Sequence, residues 1–152
     1  MPTGSCLCKE TRISYTGETV FKSICHCLDC RKHAGIGLVY GVQEQNFHID
    51  SGTPKSYAMQ SDHDREITTF FCGNCGTSLY RSGGAPQMNG MVGIRAVVLD
   101  DPDGTVISSE EGRPMLEVYV ERRPVWMPKV EGVAQLNSKY ELIEGTMPGL
   151  KA

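Results

Sequence analysis

Short apolar stretches separated by turn residues recur along the whole chain, and no window carries the period of a long amphipathic helix. Residues 11–15 alternate, with Ile13 and Tyr15 on one face, and residues 19–24 run directly into a cysteine-rich segment. Residues 36–42 read as a buried strand, and residues 47–49 as a short one before the turn Ser51-Gly52-Thr53-Pro54. Residues 55–59 and 65–71 flank Asp62-His63-Asp64 as a hairpin, and residues 77–81 follow a turn at Gly73-Asn74. After Gly83-Gly84, residues 91–99 are strand-like and end at the strong turn signal Asp100-Asp101-Pro102-Asp103-Gly104. Residues 116–120 set Leu116, Val118 and Val120 against Glu117 and Tyr119. One short helix is expected over residues 28–34. From Arg122 onward Pro124, Pro128 and Pro148 with mixed polarity predict an irregular C-terminal segment, pinned by Trp126. The pattern therefore predicts a mainly β fold.

Composition narrows the functional classes. A chain of 152 residues with net charge −3 fits one domain and offers no overall basic field for nucleic acid or anionic membrane. Its small basic groups, Arg31-Lys32-His33 and Arg122-Arg123, read as solvated surface. There is no apolar run long enough to span a membrane. The opening MPTGSCLCKETR has no apolar h-region, so the expectation is a cytoplasmic chain in a reducing compartment.

The seven cysteines change the picture most. They fall only in ligand-spaced groups: Cys6 and Cys8, then Cys25, Cys27 and Cys30, then Cys72 and Cys75. An odd count at such short spacings disfavours disulfides, whereas metal binding needs this clustering. A closed structural zinc site takes four ligands and a catalytic site three, and four plus three is seven. Alternation along a strand lets Cys6 and Cys8 face one ion, and Gly73 and Gly76 allow a tight turn around Cys72 and Cys75. Cys25, Cys27 and Cys30 form a compact tripod. Its fourth position is either open to water or a substrate thiol, or filled by His33; His26 points away from its two neighbours. Three thiolates on Zn²⁺ leave a net −1 centre, suited to a soft sulfur partner rather than to hydrolysis.

These residues also carry a resemblance. Gly4-Ser5-Cys6-Leu7-Cys8, Cys25-His26-Cys27-Leu28-Asp29-Cys30-Arg31-Lys32 and Phe71-Cys72-Gly73-Asn74-Cys75-Gly76-Thr77-Ser78-Leu79 resemble the glutathione-dependent formaldehyde-activating enzyme family, whose domain also occurs in centromere protein V. Phe47, Gly52, Tyr57, Leu99-Asp100-Asp101-Pro102 and the late Arg123–Trp126 stretch extend the match, and Lys9 departs from it where the family usually has glycine. The resemblance implies an Mss4-like β fold, a zinc domain over residues 3–132 and a tail over residues 133–152. It implies two zinc ions per chain: a structural one on Cys6, Cys8, Cys72 and Cys75 and a catalytic one on Cys25, Cys27 and Cys30. The implied activity is a carbon–sulfur lyase that makes or breaks an S-hydroxymethylglutathione-like adduct of a small thiol and an aldehyde.

Further residues are assigned on chemistry alone. His26 and His33 are acid/base candidates beside the tripod. Arg31, Lys32 and Arg95 are candidates for holding a substrate carboxylate, while His48 and His63 read as structural. The competing functional reading is a non-catalytic zinc scaffold for protein interaction, in which a protein ligand closes the tripod.

Overall fold

The computed structural model describes residues 1–101 and 104–149. Its strands are β1 (Thr3–Ser5), β2 (Arg12–Tyr15), β3 (Phe21–Cys25), β4 (Gly37–Gln43), β5 (Phe47–Ser51), β6 (Lys55–Gln60) and β7 (Glu66–Phe71). They continue with β8 (Ser78–Gly83), β9 (Met91–Arg95), β10 (Asp100–Asp101), β11 (Gly104–Thr105), β12 (Leu116–Val118), β13 (Ala134–Leu136) and β14 (Leu142–Glu144). The single α-helix among the described residues, α1 (Leu28–Ala34), lies where the sequence predicts it. No helix there is long and apolar enough to cross a membrane. The mainly β expectation holds. Of the predicted turn at Asp100–Gly104, Pro102 and Asp103 lie outside the described residues, but β10 and β11 pair antiparallel on either side.

Nine strands form one sheet in the order β14-β13-β12-β3-β4-β9-β8-β7-β6, and β1-β2-β5 form a second. The large sheet is antiparallel except where β12 lies parallel to both β3 and β13. Its two faces have different tasks. Tyr40, Val42, Tyr80, Val92 and Ile94 point toward Ile13 and Tyr15 of the small sheet and form the larger apolar core. Strand alternation sends Val39, Gly93 and Arg95 to the other face. That face also receives Phe21, Ser23 and Cys25 from β3, and Arg81 and Thr69 from β8 and β7. Because both faces are covered, every residue of β9 is buried.

Glycine lets neighbouring side chains lie against the second face of the sheet. A Cβ on Gly41 would lie 2.2 Å from the Phe21 ring, and one on Gly93 would lie 2.9 Å from Val39. Side chains at these paired positions would displace Phe21 and Val39 from the face that carries Cys25.

The C-terminal stretch follows a different logic from that expected of it. Trp126 is 77% exposed and pins nothing. Pro124 and Pro128 have no amide hydrogen to donate, and the segment is instead tied to the side chain of buried Glu117, which accepts from the Val130 amide at 3.0 Å. Within residues 133–152, β13 and β14 add two short strands to the edge of the large sheet.

Candidate metal centres and active site

Cys6, Cys8, Cys72 and Cys75 converge, with all four sulfurs within 4.8 Å of one another. Cys6 and Cys8 come from the loop after β1, while Cys72 and Cys75 come from the β7–β8 turn. Gly76 in that turn takes a left-handed φ of +75°, so only one of the two glycines supplies the conformation expected of both. Lys9 also has a left-handed φ, +64°, a conformation that glycine adopts without steric cost.

The sulfur spacing tests the metal reading. Cys6 Sγ lies 3.5 Å from Cys8 Sγ, and Cys8 Sγ 3.7 Å from Cys72 Sγ. A disulfide needs about 2.05 Å, whereas thiolates about 2.3 Å from a tetrahedral zinc lie about 3.8 Å apart. All seven thiols are free. The Thr11 amide donates to Cys6 Sγ at 3.3 Å, and the Thr77 hydroxyl lies 3.1 Å from Cys75 Sγ. Hydrogen bonds from the Thr77 hydroxyl and amide hold the Cys75 thiol down at about 5, in the thiolate form a metal requires. The donor set fits a closed four-thiolate site.

The tripod is built differently. Cys25 ends β3, Cys27 is the N-cap of α1, and Cys30 sits in the first helical turn, where its amide donates to Cys27 Sγ at 3.3 Å. All three are buried and mutually within 4.8 Å. Among the described residues no histidine, carboxylate or further cysteine joins this group. Arg81 and Arg95 each aim an Nη1 at Cys30 Sγ, at 3.4 and 3.6 Å. Hydrogen bonds from Cys25 and Cys27, outweighing burial and helped by both guanidinium charges, pull the Cys30 thiol well below its ordinary range. Hydrogen bonds to the neighbouring thiols and burial push the Cys25 thiol well up, and the Cys27 thiol is also raised, so the two arginines offset the negative charge at Cys30.

Gly37, opposite Cys25 in β4, has no room for a side chain: a Cβ there would lie 2.8 Å from both the Cys25 carbonyl and Cys30 Cβ. Gly37→Ala should therefore displace Cys30 and weaken metal retention at the tripod by about tenfold or more, leaving the four-cysteine cluster intact. Metal analysis during dialysis against a weak chelator reads this, and unchanged retention of both ions would show that the tripod tolerates the shift.

The histidines separate. His26 is buried and turned from the tripod; its Nε2 lies 2.9 Å from Glu117 Oε1. His33 lies outside the sulfur cluster and lines a cavity of about 270 Å³ with Cys30, Lys32, Arg81 and Arg95. Its Nε2 is buried with no partner, and burial followed by the Arg95 charge lowers its pKa. Arg31 is occupied, donating to the Arg122 carbonyl. Arg95, 1% exposed, serves Cys30 from beneath the site. His48 stays in β5, paired opposite Ser14.

Sequence reasoning missed three residues. His63, read as structural, places Nε2 3.1 Å from the Tyr119 hydroxyl and stacks on Tyr140 at 5.3 Å. These three line a narrow cleft of about 20 Å³ together with Cys25, Cys27 and Arg81. Tyr119 and Tyr140 both have left-handed φ, +59° and +63°, a costly conformation for a bulky residue that persists only where the surroundings impose it. Nothing in the local sequence signals it.

The sequence profile of the glutathione-dependent formaldehyde-activating enzymes matches residues 1–122. The chain belongs to that family. A crystal structure of a Rhodobacter sphaeroides protein is similar at a TM-score of 0.52 and 17% identity, covering 66% of this chain and 92% of that one, and supports the fold. No curated protein matches the chain. Family membership gives the two cysteine clusters a shared context: an enzyme fold of the glutathione-dependent formaldehyde-activating type with two groups of thiols that could hold metal.

Proposed function

We propose that the protein is a zinc-dependent carbon–sulfur lyase that makes or breaks the adduct of a small thiol, such as glutathione, with an aldehyde. The observation that carries this reading is the buried three-thiol tripod, which lacks a fourth ligand among the described residues and borders a cavity of about 270 Å³. Cys6, Cys8, Cys72 and Cys75 would hold the structural ion, and Cys25, Cys27 and Cys30 the catalytic one. When bound at the tripod, zinc keeps a substrate thiol in its thiolate form near neutral pH.

The chain's own residues do the rest. Lys32, Arg81 and Arg95 outnumber Asp29 around the cavity; the two arginines also face Cys30 Sγ, which leaves Lys32 as the cation free for a carboxylate of the thiol. In the forward direction sulfur bonds to the carbonyl carbon, the π electron pair moves to oxygen, and oxygen takes up the proton that the thiol lost. No oxidant is needed. His33, which lines the same cavity as Cys30, would carry that proton, whereas His26 is committed to Glu117. Seven free thiols suit a reducing, cytoplasmic setting.

The test is turnover. Hemithioacetals of glutathione with several aldehydes should break down faster with the zinc-loaded protein than in buffer, and Cys27→Ser should remove the difference while the protein stays folded. In the cobalt-substituted protein, added thiol should strengthen the thiolate-to-metal charge-transfer band. If thiols leave that band unchanged and no adduct is accelerated, the lyase reading fails and the scaffold reading replaces it.

A further inference from the structure

A second cavity of about 270 Å³ lies on the same sheet face as the tripod. Phe21, Ser23 and Cys25 alternate to one side of β3, so the first two line the path leading away from Cys25. The register sets Leu116 opposite Ser23, Val118 opposite Cys25, and Leu136 opposite Val118, which extends the floor across three strands. Met88 supplies a wall. Two residues are shared between this space and the surroundings of the tripod. Arg81 and Tyr140 line both the cavity and the narrow cleft at Cys25 and Cys27, and Arg81 touches Cys30 Sγ.

Apolar side chains dominate the lining and Arg81 is its one cation, whereas the cavity at Cys30 offers Lys32 and Arg95 as well to the carboxylates of a thiol such as glutathione. The apolar space is too large for formaldehyde, which has only two heavy atoms, while even a water occupies about 30 Å³ in the liquid. Apolar cavities of about 150 Å³ already accept benzene. Arg81 stands at the junction of cavity and tripod and there donates through Nη1 to Cys30 Sγ.

The geometry points to this cavity as the subsite for an aryl or branched-alkyl group on the carbonyl carbon, so that the aldehyde partner is larger and more apolar than formaldehyde. The assignment rests on the lyase reading for its meaning, but its first test does not. Benzyl alcohol, added to the full-length zinc-loaded protein at millimolar concentration, should shift the methyl NMR signals of Met88, Leu116, Val118 and Leu136 saturably, whereas methanol should not. Ser23→Leu, which places a side chain in the cavity, should weaken that binding about tenfold or more. Met88→Trp serves the same purpose from the wall if the first variant does not fold.

Turnover supplies the second arm. With one thiol, the benzaldehyde adduct should exceed the formaldehyde adduct in kcat/KM by about tenfold or more, and Ser23→Leu should shrink that ratio. Methyl shifts that are absent, or scattered outside the cavity, overturn the subsite. Turnover of the formaldehyde adduct without any phenyl preference overturns it too, while leaving the lyase reading intact. Phenyl binding in the cavity with neither adduct turned over overturns the lyase reading instead.

Discussion

Cys72→Ser and Cys6→Ser are each expected to leave the protein largely unfolded or insoluble, while Cys27→Ser stays folded and loses activity. The closed cluster joins the loop after β1 to the β7–β8 turn, with Cys8 and Cys72 separated by 64 residues, and so ties the small sheet to the large one. A structural zinc contributes about 10–16 kcal/mol of coupled binding and folding free energy, comparable to or larger than the total of about 5–15 kcal/mol by which a domain is stable. Losing most of that term exceeds what the apolar core can offset. The tripod lies within one short stretch, from the end of β3 to the first turn of α1, so it closes little loop entropy. Circular dichroism melts of the three variants check the contrast, and graded chelation of the wild type should release two ions in separate steps, the tripod's first. Equal loss of melting temperature in all three variants would make the tripod structural as well.

The two thiol groups were legible in the sequence because spacing within each cysteine pair or triplet is local, and four plus three left the two distant pairs to share one site: both groups assemble as the cysteine pattern predicts. Most strands were legible for the same reason, since period-2 alternation and turn residues mark them directly. Where the readings diverge, the cause is long-range. Residues 91–99 read as one strand, but β9 stops at Arg95 and a 3-10 turn over Ala96–Val98 follows. His63 could not be placed beside Tyr119, because the two are 56 positions apart and meet only through the strand order. The parallel placement of β12 between β3 and β13 likewise has no signature in any single segment. Glu117 illustrates the consequence: alternation marks it as the polar side of a strand, yet it is 1% exposed.

That buried carboxylate carries the other large expected effect. Glu117 Oε1 meets His26, and Oε2 accepts from Gln135 at 2.8 Å, from the Val130 amide at 3.0 Å and from Arg123 at 3.4 Å. Burial pushes the carboxyl up, but these hydrogen bonds and the Arg123 charge outweigh it and hold the pKa at about 2. Glu117→Ala leaves several of these partners unsatisfied in the interior, and should cost about 3–5 kcal/mol. It should also loosen the tripod, because His26 lies between Cys25 and Cys27. Glu117→Gln keeps the shape and should cost less. The pH dependence follows from the sign of the shift: a depressed carboxyl contributes fully above its ordinary value of about 4.5 and loses that contribution as pH falls toward about 2. Urea unfolding of wild type and Glu117→Gln should therefore differ by a constant amount above about pH 5 and converge below it. Comparing the two proteins cancels the acid loss of metal that they share. A Glu117→Ala protein within about 1 kcal/mol of wild type, a typical single-hydrogen-bond effect, together with no convergence in acid, would show that the network does not hold the C-terminal segment and the tripod in place.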